Sequence, residues 1–374
     1  MISAGEASGD LYASALARVL RARHPDWELF GCAGPRMLEA GVHPVMDQSK
    51  LHVVGLVEVL THIPSIWREY RKLVAVAQQK RPAVAVLTDS PDFHLRVARR
   101  LAATGIPVVY LVAPQAWAWR SGRVKQMRRD LRQLLCIFPF EEKWFGDRGV
   151  NALYIGHPLA RHVQPTMEKA EFCRHHGLDP ARPLVALLPG SRPGEIRRHL
   201  PPVLEAVEKL KDTGAQFAIG APPGTNPRIF VNQFGFSSIQ VIVGETWNLL
   251  HAADVALAAS GTVTMEAAML STPMVTFYRV SEVSWRIGRW LVQTPFFTMV
   301  NLIAGRKVVP ELMQSEANGT RMAEETRALL TDPVRRAAMR DALAEVAGRL
   351  RTAHDPIELA ADIVDKIVLQ TNHA

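Results

Sequence analysis

Leu184-Val185-Ala186-Leu187-Leu188-Pro189-Gly190-Ser191-Arg192 is an unbroken apolar run that stops on proline, glycine and serine, and a helical pattern opens near Glu195. A short run apolar at every position suits a strand buried on both faces, as in a parallel sheet. The helix that follows presents free N–H groups and the positive end of its dipole, which suits a phosphate. Arg192 could add a bidentate, charge-assisted contact. An ordinary strand-to-helix turn with a surface arginine fits the same residues equally well. The pattern recurs at Ala259-Ser260-Gly261-Thr262-Val263-Thr264-Met265-Glu266. There Ser260 or Thr262 could cap the helix. Glu266 lies four residues after Thr262 on the same face, where it could hold two ribose hydroxyls or merely favour the helix start. Two such loops in one half resemble a nucleotide pocket more than either alone.

Around these loops, Val- and Ile-rich runs alternate with longer amphipathic segments, the mark of parallel βα units. Expected strands are 28–32, 83–87, 107–112, 133–137 and 152–155 in the first half, and 184–188, 216–219, 240–243, 255–258 and 274–277 in the second. Expected helices are 9–23, 64–79, 92–104, 121–129 and 141–148, then 195–212, 246–252, 262–270 and 283–291, with a final helical block over 324–369. The proline-bearing stretch 157–183 reads as a crossing. The fold class is therefore α/β: two doubly wound, Rossmann-like domains, 1–165 and 166–344, facing a cleft. The C-terminal helices, from about 345, pack back on the first domain or on a partner copy. Ligands belong at the carboxyl ends of the strands.

The chain has 374 residues, of which 48% are hydrophobic and 21% charged, enough for two full cores and too apolar for a disordered chain. Three scattered cysteines without a CxxC pair argue against a disulfide framework and a cysteine–zinc site. No histidine cluster has metal spacing in the sequence, so no metal site is expected. The net charge of +8 favours an anionic partner, either a nucleic acid, a membrane surface or a phosphorylated substrate. Residues 96–132 concentrate it: Arg96, Arg99, Arg100, Arg120, Arg123, Lys125, Arg128, Arg129 and Arg132 stand against Asp130 alone. The uncharged stretch 101–119 is interrupted by Gly105, Pro107, Pro114 and Gln115 and makes a poor spanning helix. No signal peptide is visible at the start.

Two loops of the first half are candidates for chemistry. Asp89, in Thr88-Asp89-Ser90-Pro91-Asp92-Phe93, sits where a strand becomes a loop, and a carboxylate there could take a proton from a hydroxyl. Asp92 reads as a helix cap or first-turn acid. Gly5-Glu6-Ala7-Ser8-Gly9-Asp10 precedes a helix and is a candidate acceptor loop, with Gly5, Glu6, Ser8, Gly9 and Asp10 as its residues. His157 could meet a substrate or serve the structure. Val57, Leu60, Ile63, Ile66 and Trp67 lie in a dense apolar stretch followed by Arg68, Arg71 and Lys72. That order suits contact with acyl chains and lipid phosphates, or a core or dimer face.

GEASGD (5–10), GPRM (34–37), VVGLVEVL (53–60), DSPDF (89–93), WAWR (117–120), FPFE (138–141), GHPL (156–159), LLPGSR (187–192), ASGT (259–262) and NLIAGR (301–306) resemble, in order and spacing, the lipid-A-disaccharide synthases over essentially the whole chain. The resemblance implies a GT-B fold and an inverting glycosyltransferase, cytoplasmic and peripheral on the inner face of the inner membrane. Its donor would be UDP-2,3-diacylglucosamine and its acceptor 2,3-diacylglucosamine 1-phosphate, giving the β-1,6 disaccharide 1-phosphate and UDP with no cofactor. It implies catalytic importance for Asp89, Arg192 and Asn301. It also implies a UDP site at Gly190, Ser191, Arg192, Ser260, Gly261, Thr262 and Glu266. No nucleic acid is implied, and a homodimer through the C-terminal helices is an option. The family usually carries more apolar residues before GEASGD than Met1, Ile2 and Ser3, so a short first strand is expected. Ser90 stands where alanine is usual, and Gln115 where serine is common. The rival readings are another GT-B enzyme acting on UDP-GlcNAc, an epimerase or MurG-like transferase, and a non-catalytic nucleotide-sugar binder.

Overall fold

The computed structural model describes residues 1–51, 56–230, 239–282, 285–286 and 294–372, with side chains for all of these except 56–63 and 372. The chain divides into two compact units, Met1–Pro158 with Leu350–Ala374, and Leu159–Arg349. The division therefore falls seven residues before 165 and five after 345, the positions read from the sequence.

The first unit runs β1 (Ile2–Ala4), α1 (Ala7–Arg23), β2 (Phe30–Ala33), α2 (Pro35–Glu39), β3 (His43–Asp47), α3 (Leu56–Lys80), β4 (Ala85–Thr88), α4 (Pro91–Ala102), β5 (Val108–Leu111), α5 (Ala116–Trp119), α6 (Arg123–Asp130), β6 (Gln133–Cys136), α7 (Pro139–Gly146) and β7 (Ala152–Tyr154). Its five-stranded sheet has the order β1-β4-β5-β6-β7, all parallel, beside a parallel β2-β3 pair. The short first strand pairs with β4, Ile2 opposite Val86 and Ala4 opposite Thr88. Every residue of β1, β2, β4 and β5 is buried, which explains why these strands read as apolar runs. β3 escaped the sequence reading because only Met46 of its five residues is buried. α3 starts at Leu56 and continues across Pro64, which had looked like a helix start.

The second unit runs α8 (Leu159–His162), α9 (Lys169–His175), β8 (Leu184–Leu188), α10 (Pro193–Leu210), β9 (Gln216–Ala221), β10 (Gln240–Val243), α11 (Thr246–Ala252), β11 (Val255–Ala259), α12 (Thr262–Met269), β12 (Met274–Tyr278), α13 (Met299–Ala304), β13 (Glu311–Met313), α14 (Gly319–Thr331) and α15 (Pro333–Leu350). Its six parallel strands are ordered β10-β9-β8-β11-β12-β13. The fully buried β8 and β11 lie side by side at its centre, so the two quoted loops leave neighbouring strands at the same edge. β13, three residues at the sheet edge, was too short to be read from the sequence. The helix expected over 283–291 lies outside the described residues apart from 285–286.

The last helix, α16 (Pro356–Asn372), packs on α1 of its own chain. Arg23 donates to Glu358, to Asp362 at 2.7 Å and to Asp365 at 3.0 Å, and His24 meets Asp365 at 2.9 Å. Cys32, Cys136 and Cys173 are free and buried.

Candidate active site

Backbone strain marks the carboxyl ends of β4 and β5. Asp89, Ser90 and Val112 all have positive φ, at 51°, 37° and 67°. Such non-glycine residues cost about 1–3 kcal/mol each and persist where the surroundings fix them, often at functional sites. At Asp89 those surroundings are the N-terminus of α1. Its Oδ1 accepts the Gly5 N–H at 2.6 Å and its Oδ2 the Glu6 N–H at 3.0 Å. Burial pushes the carboxyl up to about 7, the two amides hold it down, and the Glu6 charge adds to the rise. A carboxylate poised near neutrality suits a general base.

The glycines of the GEASGD loop follow from this contact. A Cβ on Gly5 would fall 2.3 Å from Ser90 Oγ, and one on Gly9 would meet the Asp89 carboxylate. Glu6 and Ser8 are exposed beside it, with Ser90 Oγ donating to Glu6 Oε1 at 3.4 Å. Asp10 has a different task from the expected substrate contact. It is buried, and it accepts N–H groups from Gly34 (3.1 Å), Arg36 (3.0 Å) and Met37 (3.0 Å), capping α2. His157 is buried, packs on Phe138, and is pushed down to about 4 by burial, so it is neutral at pH 7.

In the second unit, the loop after β8 folds around Glu195. Its Oε2 accepts the Ser191 and Arg192 N–H groups at 3.2 and 3.3 Å, and its Oε1 accepts from Tyr278 Oη at 3.2 Å. The left-handed Gly190, φ 118°, gives that carboxylate room. The Arg192 side chain is 76% exposed and donates to Glu195 at 3.3 Å, so it can reach an anion. Buried His199 ties the loop to the end of β12. Its Nδ1 donates to the Pro189 carbonyl at 2.8 Å and its Nε2 accepts the Arg279 N–H at 3.0 Å. After β11, Gly261 and Thr262 are exposed at the start of α12. The Ser260 N–H donates to the Phe277 carbonyl at 2.8 Å. One turn on, burial raises the Glu266 carboxyl, and a hydrogen bond from Trp247 opposes the rise.

Asn301 is fully buried and has both ends of its amide engaged. Nδ2 donates to the Val309 carbonyl (3.0 Å) and Glu311 Oε1 (2.9 Å), and Oδ1 accepts from the Val308 (2.7 Å) and Val309 (2.9 Å) N–H groups. All four of its hydrogen-bonding positions are filled, so direct contact with a diphosphate or sugar is not what this geometry offers. Asn301 fastens the NLIAGR loop to β13.

Sequence reasoning missed His94, Tyr110, Glu141, Glu195, His199 and Trp247, each of which has at least one partner distant in the chain. Buried Glu141, pushed up to about 8 by burial, accepts from Trp117 Nε1 at 3.0 Å and joins WAWR to FPFE. Asp92 accepts from Arg120 at 2.7 Å and from Arg123. His175, His176 and Glu245 each place a ligand atom within 4.8 Å of the others, a grouping that no sequence spacing showed, with His176 Nε2 3.4 Å from Glu245 Oε1.

The side chains of Val57, Leu60 and Ile63 lie outside the described residues. Ile66 is half-buried, and Trp67 is 44% exposed, with Arg71 5.5 Å from its ring centre. Among the described residues no helix is long and apolar enough to cross a membrane.

A family model described as lipid-A-disaccharide synthetase matches residues 1–357. A lipid-A-disaccharide synthase of Solibacter usitatus is 55% identical over 351 residues, 94% of this chain and 92% of its own. That of Myxococcus xanthus is 41% identical over 354 residues, again 94% and 92%. Among solved structures, the glycotransferase of kitacinnamycin superposes with a TM-score of 0.66 at 17% identity, covering 98% of both chains. The UDP-GlcNAc 2-epimerase of Neisseria meningitidis bound to UDP-GlcNAc does so with 0.61 at 13% identity, covering 99% of both. These two likenesses speak for the fold, the two family matches for membership. The chain belongs to the lipid-A-disaccharide synthase family and is a hexosyltransferase with a GT-B fold.

Proposed function

We propose that the enzyme transfers 2,3-diacylglucosamine from UDP to the 6-hydroxyl of 2,3-diacylglucosamine 1-phosphate with inversion. The observation that carries this reading is the Asp89 carboxylate, half-buried just after β4, held on two amides and poised near neutrality. In the displacement, the acceptor oxygen attacks the anomeric carbon as its proton passes to Asp89. The bond from that carbon to the diphosphate breaks, and UDP leaves with the electron pair. Arg192 and the N-termini of α10 and α12 stabilise the departing charge, and Glu266 holds the ribose hydroxyls. Asn301 supports this site by fixing its loop.

The substrates carry acyl chains, and the first unit has a face suited to the bilayer that holds them. α4 packs against both α3 and α6, and the three helices expose Arg68, Arg71, Lys72, Arg96, Arg99, Arg100, Lys125, Arg128 and Arg129. Trp67 stands exposed on α3, and Trp119, 42% exposed, stands just before α6 with the Arg120 guanidinium 4.3 Å from its ring centre. Cations beside exposed indoles suit an anionic interface, here the inner face of the inner membrane.

The test is incubation with UDP-2,3-diacylglucosamine and the monophosphate acceptor, with the product read by mass. A disaccharide 1-phosphate that requires both acylated substrates is expected. Turnover of unacylated UDP-GlcNAc alone would favour an epimerase, and UDP binding without turnover a non-catalytic binder.

A further inference from the structure

The main-chain carbonyl of Asp89 accepts two side-chain hydrogen bonds, from Tyr110 Oη at 2.5 Å and from His94 Nδ1 at 3.0 Å. Both donors are fully buried. A carbonyl can only accept, so His94 Nδ1 carries its proton. Burial pushes the imidazole down to about 4, which keeps it neutral and leaves Nε2 bare. That nitrogen lies 2.9 Å from Ser3 Oγ, whose hydroxyl donates to it, and Ser3 Oγ accepts the Cys32 N–H at 3.3 Å. The polarity of the whole chain of bonds is thereby fixed, from β2 through β1 to the turn after β4. It converges on a residue in the left-handed region, φ 51°, which aspartate adopts less readily than glycine does.

We propose that His94 and Tyr110 are positioning residues: together they hold the Asp89 main-chain carbonyl, and through it the turn that aims the carboxylate at the Gly5 and Glu6 amides. The inference rests on the reading of Asp89 as the base. His94 itself is no second base, because its Nδ1 faces the carbonyl and its Nε2 faces Ser3. Its Nδ1 lies 3.9 Å from Asp89 Oδ1, and as a neutral ring it adds no positive charge beside the carboxylate.

The test compares Tyr110→Phe, which deletes one oxygen, with His94→Leu, which keeps bulk without a donor, and His94→Asn, which keeps an N–H at the position of Nδ1. Turnover is measured with both acylated substrates. Tyr110→Phe and His94→Leu should each lower kcat roughly tenfold to a hundredfold, the scale of a displaced catalytic group, with donor KM changed less than about twofold. His94→Asn should recover most of the loss. Adding Tyr110→Phe to Asp89→Asn should cost nothing more, because residues acting through one group are not additive. If His94→Leu does not fold, Tyr110→Phe and His94→Asn decide the matter. Normal kcat in Tyr110→Phe, or equal losses in His94→Asn and His94→Leu, overturns the positioning role and leaves Asp89 as base. Normal turnover in Asp89→Asn overturns the base and the positioning role with it.

Discussion

A Cβ on Gly9 would lie 1.6 Å from Asp89 Oδ2. The carboxylate occupies the space that any side chain at Gly9 would need, although the two residues are 80 positions apart in sequence. Gly9 lies inside α1 with no positive φ, so alanine suits its backbone and would favour the helix by about 0.5–1 kcal/mol. Gly9→Ala is therefore expected to keep a cooperative melting transition while pushing the Asp89 carboxylate aside. We expect kcat to fall roughly a hundredfold, the scale for about an ångström of misplacement. Full activity in a folded Gly9→Ala variant would show that the carboxylate need not sit where it does.

Asp89 also sets a pH dependence. Burial raises its carboxyl from 3.8 to about 7, and only the deprotonated form accepts a proton. Turnover should be level above that value and fall as pH drops through it, approaching tenfold per unit. An ordinary carboxylate would hold the rate level down to about pH 4. The same shift gives a stability term of the opposite slope. Between about 4 and about 7 the folded state holds a proton that the unfolded chain releases, so this contribution declines as pH rises through that window. Asp89→Asn should lose at least about a hundredfold in kcat, with UDP affinity unchanged.

The parallel βα rhythm was legible because the central strands are apolar at every position, as Leu184–Leu188 and Val255–Ala259 show. β3 and β13 were not, since an edge strand buries little and needs no apolar run. Asp89 stood out because a carboxylate ends a buried strand. Its partners did not, because His94 and Tyr110 look like ordinary core residues until the fold brings both to one carbonyl. Asn301 and Asp10 show the converse. Motif membership singled them out, yet their hydrogen bonds run to main-chain groups, and for Asn301 to Glu311 as well.

Those engagements make a prediction of their own. Asp10→Ala strands three N–H groups at the head of α2, and a lost bond to a charged acceptor costs about 1.5–3 kcal/mol. Thermal melting should drop by several degrees in Asp10→Ala and in Asn301→Ala, with donor KM in the folded fraction little changed. A normal melting temperature with a raised KM in either variant would return that residue to the substrate.

The donor pocket is tested at two residues that differ in exposure. Arg192 is free to reach a diphosphate, whereas Glu266 is mostly buried and pairs with Trp247. Arg192→Ala and Glu266→Ala should each weaken UDP binding by about 1.5–3 kcal/mol, the worth of a charged hydrogen bond. Calorimetry reads both. Salt should erode the Arg192 contribution more, because exposed charges are screened within about 8 Å at physiological ionic strength. Unchanged UDP affinity in both variants would place the nucleotide elsewhere.

The membrane face makes the last prediction. Trp67 and Trp119 are exposed beside cations, with Arg71 over one ring and Arg120 over the other. Neither indole fills the core, so Trp67→Ser with Trp119→Ser should leave the cooperative melting transition in place. Arg96, Arg99 and Arg100 project from α4, and no hydrogen bond of their guanidinium groups holds the fold among the described residues. Replacing the three with Glu should likewise preserve folding. Each Lys or Arg near an anionic surface contributes about 1 kcal/mol, so the arginine variant should lose nearly all flotation with phosphatidylglycerol vesicles. The tryptophan variant should lose less and retain its salt sensitivity, because it keeps the charges. The two variants thus separate insertion of rings from attraction of charge. If both float as the unmodified protein does, this face does not meet the bilayer; if the tryptophan variant melts without a cooperative transition, the indoles serve the fold.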